Sequence, residues 1–170
     1  FHSAGMNPLR KGTDILIRAF SKLNNKNAKL IIHSQKPLKE FFPKISGIIK
    51  KLEDEEKLLC IEKTVGAPGL YYLGDVYVYP TILEGIGLTI AEALSSGLPV
   101  ITSDNAPMNE FVNNENGKLV KIKRFYKRDD DYYWPLCEVD EMSLLESMQY
   151  YCDNLDIIPA LKKKAREYAE

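Results

Sequence analysis

The sequence predicts an α/β fold, a doubly wound, Rossmann-like parallel sheet of about six strands with helices on both faces. Three observations point there. Short apolar runs of strand length alternate with segments whose apolar residues recur at helical spacing. Runs such as Leu30-Ile31-Ile32 and Val100-Ile101 are apolar throughout, as in a parallel sheet covered on both sides. Turns rich in glycine or proline follow the runs, and 170 residues suit a single domain with its own core.

Each element has a local reason. Phe1–Gly5 reads as a strand end running into a glycine turn, and a strand that opens a domain without lead-in is expected of a piece of a longer protein. Ile15, Leu16, Ala19, Phe20 and Leu23 mark a helix over about 13–24, capped by Thr13 or Asp14. Lys29–His33 is a strand closed by Ser34-Gln-Lys-Pro37. Ile45, Ile48, Ile49 and Leu52 give a helix that starts at Pro43, tolerated only in a first turn. Strands are expected at Leu58–Ile61 and Asp75–Tyr79, the latter stopped by Pro80. A helix from Leu88 to Ser96, a strand at Pro99–Thr102, a short helix at Asn109–Val112 and a strand at Lys118–Ile122 follow. Met142, Leu145, Met148 and Cys152, then Leu161, Ala165 and Tyr168, give two closing helices. The compositional break is a polar and aromatic insertion over 123–137.

Composition excludes several functions. Lys+Arg 23 against Asp+Glu 24 leaves a formal charge of -1, so nothing argues for nucleic-acid binding. Cys60, Cys137 and Cys152 are odd in number and scattered, which speaks against a disulfide scaffold and for a reducing, cytoplasmic setting. With only His2 and His33, a histidine metal centre is not expected, and no apolar stretch approaches the ~20 residues of a membrane span.

In a doubly wound sheet, ligands bind at the carboxyl ends of the strands. The most informative segment there is Pro80–Leu94, a strand-turn-helix unit. Gly85 and Gly87 permit positive φ and close backbone approach. The amides of Leu88, Thr89 and Ile90 are expected unpaired at the positive end of the helix dipole, an anion site suited to phosphate. Glu92 sits between Ile90, Ala91, Ala93 and Leu94 and is expected to be largely buried, where a carboxylate needs donors such as ribose hydroxyls. A structural glutamate bonded to a backbone amide or basic side chain is the plainer alternative, and Glu84 could be a loop acid capping the helix.

Glu84-x7-Glu92, within Pro-x3-Glu-Gly-x-Gly-Leu-Thr-x2-Glu-Ala-x3-Gly-x-Pro-Val-Ile, resembles the nucleotide-sugar site of retaining glycosyltransferase family 4. Gly5-x5-Lys11-Gly12, Asp75-Val-Tyr-Val-Tyr-Pro80 and Asn116-Gly117-Lys-Leu-Val120 resemble its other landmarks in family order, over about residues 1–122. The resemblance implies the C-terminal, donor-binding half of a GT-B enzyme that lacks here its N-terminal acceptor domain. It implies a UDP-, GDP- or ADP-linked sugar as donor, hexose transfer with retention and no enzyme nucleophile, and no cofactor or metal. It also implies a cytoplasmic location, peripheral to the membrane face in the full-length protein.

By position, the resemblance assigns Glu84 to the hydroxyls of the transferred sugar and Glu92 to the ribose. Lys11 falls to the diphosphate, and the Gly5 loop with the Gly85–Ile86–Gly87–Leu88–Thr89 backbone to sugar and phosphates. Met6 stands where the family usually has arginine, leaving Arg10 as the neighbouring cation, and Ile86 replaces an aromatic residue. Met6 is the feature that favours the alternative, a non-catalytic nucleotide-binding or interaction module. Asp129-Asp130-Asp131 reads as a solvated charge run, not a metal-binding Asp-x-Asp. Tyr132-Tyr133-Trp134 is expected to pack the insertion onto the domain, and His33 to be structural or near the base pocket.

Overall fold

The computed structural model describes residues 1–130 and 133–170. The chain alternates strands and helices: β1 (His2–Gly5), α1 (Thr13–Phe20), β2 (Leu30–Ser34), α2 (Leu38–Phe41), α3 (Ser46–Asp54) and β3 (Leu58–Glu62). There follow β4 (Tyr77–Tyr79), α4 (Leu88–Ser95), β5 (Val100–Ser103), α5 (Met108–Phe111) and β6 (Gly117–Val120). A ribbon of β7 (Ile122–Tyr126) and β8 (Leu136–Val139) precedes α6 (Glu141–Asp153) and α7 (Ile158–Ala169).

Strands β1, β2 and β3 form one parallel sheet, and β4, β5 and β6 a second. The two meet side by side at β1 and β4. Phe1 donates its amino group to the Val76 carbonyl at 2.8 Å, and the Val78 amide donates to the Phe1 carbonyl at 2.9 Å. Two neighbours bonding one residue is the pattern of a parallel pair. The strand order is therefore β3-β2-β1-β4-β5-β6, and the order reverses between β1 and β4, where such folds hold their ligands.

The side-chain alternation of β4 sends Val78 into one core and Tyr77 with Tyr79 into the other. The first core joins α1, α3 and α6 through Leu16, Ile49 and Leu144, and the second joins α4, α5 and α7 through Ile90, Met108 and Ala165. Helices on both faces follow. Among the described residues, no helix is long and apolar enough to cross a membrane.

Several local expectations need correction. Helix α1 ends at Phe20, where tight turns take over, and its cap is Gly12, not Thr13 or Asp14. Thr13 instead turns inward to His2. Pro43 opens a 3-10 turn, and α3 proper begins at Ser46. The expected last strand splits at Lys121, where the chain leaves the sheet and re-pairs as the antiparallel ribbon of β7 and β8. The insertion is thus an ordered hairpin base. It is fastened by Cys137, whose amide donates to the Ile82 carbonyl at 3.1 Å, and not by Tyr133 or Trp134. Tyr133 and Trp134 are exposed and stack edge-on against each other; Tyr132 and Asp131 lie outside the described residues. Asp130 pairs with Arg128.

Candidate functional site

Two loops at the carboxyl ends of β1 and β4 bring the sequence-predicted residues together. They touch because of Gly12. It adopts φ +68°, and a Cβ there would fall 2.0 Å from the Pro80 carbonyl oxygen, so only glycine lets the chains pass. The contact is secured by Thr81, whose hydroxyl reaches the Arg10 carbonyl at 3.0 Å, and by the Ile82 amide, which donates to the same carbonyl at 2.9 Å. From the neighbouring strand β5, Thr102 donates to the Tyr79 carbonyl at 2.8 Å and Ser103 to the Thr81 carbonyl at 2.6 Å. On the other side of α1's start, His2 is wholly buried. Its Nδ1 lies 2.7 Å from the Val78 carbonyl, which can only accept, so Nδ1 carries the proton; Nε2, 2.8 Å away, then accepts from Thr13. Burial lowers its pKa to about 3.

On this frame Lys11 donates to Glu84 Oε1 at 2.6 Å. Tyr79 donates to the same oxygen at 2.7 Å, and the Thr81 hydroxyl lies 2.8 Å from it. Both charged side chains are nearly buried, with 13% and 9% exposure. Glu84 is therefore not a helix-capping loop acid. Burial works against its charge, yet the hydrogen bonds from Lys11, Tyr79 and Thr81 outweigh it and hold the carboxyl below the usual carboxylate range. Burial also draws the Lys11 ammonium below the ordinary lysine range, opposed by its contact with Glu84. Arg10 approaches from outside, its Nη1 4.0 Å from Glu84 Oε2.

The start of α4 forms the other wall. Gly87 takes φ +85° as its cap, as expected, whereas Gly85 needs no positive φ and faces open space. Gly5 ends β1 with φ +55°. Ile86 and Leu88 are exposed at the rim. The Ile90 amide is not free: it donates to the Gly87 carbonyl at 2.8 Å. Among the described residues no such acceptor meets the amides of Leu88 and Thr89. Glu92 contradicts its expected burial: it is exposed. At 100° per residue, Ile90, Ala93 and Leu94 share the buried stripe of α4 and position 92 falls opposite. Its donor is neither a backbone amide nor a cation but the Tyr71 hydroxyl, 2.6 Å from Oε2.

Sequence reasoning missed Tyr71, Tyr79 and Thr81 as partners of the two carboxylates. The two-residue period of Tyr77-Val78-Tyr79 was the available signal, since it puts both phenols on one face. His33 Nε2 lies 2.8 Å from the Lys63 carbonyl, a hydrogen bond that fits its structural reading. Among the described residues no group of three His, Cys, Asp or Glu is placed to hold a metal ion. A cavity of about 540 Å³ opens at the amino ends of the strands, lined by Leu30, Val76 and Tyr151 among others. That is the wrong end of the sheet for the ligand crevice. A cavity of about 410 Å³ adjoins Arg10, between the two loops and the ribbon.

With this geometry in place, residues 1–128 match the family described as Glycosyl transferases group 1. The chain belongs to that family. A glycosyltransferase of Methanocaldococcus jannaschii is 30% identical over 129 residues, 74% of this chain and 31% of that protein. The fold is that of GT-B glycosyltransferases. WaaG, a glycosyltransferase involved in lipopolysaccharide biosynthesis, superposes with a TM-score of 0.76 at 20% identity, over 99% of this chain and 41% of its own. Anabaena HepE in complex with UDP gives 0.75 at 18%, over 99% and 42%. The group 1 chain thus spans under half the length of these proteins.

Proposed function

We propose that this chain is the donor-binding part of a retaining glycosyltransferase that transfers a hexose from a nucleoside diphosphate sugar to a glycan, lipid or other acceptor. The observation that carries the reading is the buried Lys11–Glu84 pair at the switch point, beside the start of α4. A carboxylate there suits sugar hydroxyls, and a cation suits the leaving diphosphate, whose charge it stabilises most effectively where water is scarce. Glu92, exposed and steadied by Tyr71, suits a ribose arriving from solvent. HepE, of like fold, was crystallised with UDP, which supports a nucleotide in this crevice.

The electrostatics fit with one adjustment. Lys11 and Glu84 cancel, so an anion needs a further cation, and Met6 supplies none. Arg10, beside the second oxygen of Glu84, brings the trio to a net positive charge. Neither a metal nor a cofactor is required for these roles. An N-terminal acceptor domain would complete the cleft, and without it positioning, worth about 7–11 kcal/mol in favourable cases, is lost. The full-length protein is read as cytoplasmic, peripheral to the membrane face.

The reading is tested by thermal shift with UDP, GDP and ADP at millimolar concentration, with and without EDTA. Stabilisation by at least one of them, unaffected by EDTA, is expected. No stabilisation by any would overturn the assignment.

A further inference from the structure

We infer that Tyr79 is the positioning residue for Glu84: it holds Oε1, which Lys11 and Thr81 also meet in the unliganded chain, and so leaves Oε2 as the acceptor offered to a sugar hydroxyl. The inference rests on the donor-site reading above and adds to it a specific division of labour between the two carboxylate oxygens.

The geometry is one-sided. Lys11, Tyr79 and Thr81 lie 2.6, 2.7 and 2.8 Å from Oε1. A carboxylate oxygen has two lone-pair sites, so nothing is left on it for a ligand. Oε2 is different. Arg10 Nη1 stands 4.0 Å away, beyond hydrogen-bond distance, no donor among the described residues meets it, and it is not sealed from solvent.

The three donors are not equivalent once a diphosphate arrives. Lys11 is a cation and is drawn towards it. Thr81 has one proton and two alternative acceptors, the Arg10 carbonyl at 3.0 Å and the Leu83 carbonyl at 3.3 Å. Tyr79 donates to Glu84 alone among the described residues. Its ring cannot swing away: it is wholly buried, stacked on Tyr77 with centroids 5.4 Å apart at 19°, and covered by Lys11 at 5.0 Å. Burial raises the phenol pKa, foremost among its causes, so the hydroxyl stays a donor. Tyr79 is the anchor that persists when Lys11 and Thr81 are engaged elsewhere.

The test uses the 170-residue chain and three probe pairs, UDP with UDP-glucose, GDP with GDP-mannose and ADP with ADP-glucose, by calorimetric titration. In Tyr79→Phe, affinity for the bare diphosphate is expected to change less than about twofold, while the sugar nucleotide weakens about tenfold, the size of a hydrogen bond to a charged group. In a Glu84→Gln background the same change is expected to add less than about twofold, because the two residues act through one contact. Equal weakening of both probes, or additive effects, would overturn the inference. If Tyr79→Phe melts below the assay temperature, the same titrations are run below its melting point. There, retained discrimination between sugar nucleotide and bare diphosphate overturns the inference and lost discrimination upholds it. Absence of any nucleotide binding by the unsubstituted chain overturns the donor-site reading itself. Binding with discrimination unchanged in Tyr79→Phe overturns only the role of Tyr79.

Discussion

Glu84 and Glu92 are the same side chain eight positions apart, on either side of one helix start, and the fold treats them oppositely. Glu84 sits on a loop held from three directions, by Gly12 against Pro80, by Thr102 and Ser103 of β5, and by Cys137 of the ribbon. Its carboxylate meets three donors and little solvent. Glu92 projects from the outer side of α4 into solvent and meets one phenol. In the donor site we propose, a rigid, pre-paired carboxylate and a loosely held one serve side by side. The first is suited to fixing a reacting sugar, where small misplacements are costly. The second is suited to gripping a substrate part that only needs to be held.

The widest gap between the two walls should open at their glycines. Gly12 and Gly87 are both left-handed helix caps, but a Cβ at Gly12 meets backbone at 2.0 Å, whereas one at Gly87 finds only ordinary contacts from 3.6 Å. Gly12→Ala is expected to cost about 4 kcal/mol, strain plus forced separation of the two loops. Gly87→Ala should cost about 1 kcal/mol, the left-handed penalty alone. Urea denaturation of both variants measures the difference, and similar losses would mean the Gly12–Pro80 contact does not hold the site together.

The carboxylates themselves come next. Glu84→Ala leaves Lys11 nearly buried without its partner and is expected to destabilise by about 2–3 kcal/mol, less than a fully buried pair because the cleft is open. Glu92→Ala, at an exposed position, should stay within about 0.5 kcal/mol. The pH dependence follows the depressed pKa of Glu84. Its contribution is present above the unfolded carboxyl's pKa and is lost as pH falls through the lower folded value, so the gap between the two variants should narrow in acid. A gap that is constant from pH 7 to pH 3 would remove the ion pair as its cause.

How far the sequence revealed this contrast depended on distance along the chain. Strands, helix order and the glycine turns are local features, and Leu30–Ser34, Leu88–Ser95 and Val100–Ser103 emerge within a residue or two of expectation. The Lys11–Glu84 pair spans 73 residues, and only the motif resemblance joined its halves. Apolar neighbours argued for burial of Glu92, but burial on a helix is decided by angle, and Ala91, itself only partly buried, shows that an apolar neighbour need not lie in the core. The break at Lys121 was hidden because a strand leaving one sheet for a ribbon keeps the same residue preferences. The anchoring roles of Tyr71 and Tyr79 needed the third dimension, since a tyrosine in an apolar run looks like core until its hydroxyl's partner is known.

The smallest expected effect is at Tyr71. It lies on the 3-10 turn Tyr71–Leu73, its ring packed edge-on against Phe1 and Tyr77 with centroids 5.6 and 5.5 Å away. Tyr71→Phe keeps this packing and removes only the donor to Glu92. Water can replace that donor at an exposed carboxylate, so stability should fall by less than about 0.5 kcal/mol. What changes is orientation: Glu92 regains its rotamers and must give them up again when a nucleoside diphosphate binds. Ordering one such side chain costs about 0.5–1.5 kcal/mol, which corresponds to a few-fold weaker binding of UDP, GDP or ADP, whichever the chain takes. Inorganic phosphate, which has no ribose, should bind as before. Equal weakening of phosphate would show that the change had reached the start of α4, and unchanged nucleotide affinity would show that Tyr71 does not steady Glu92 for its ligand.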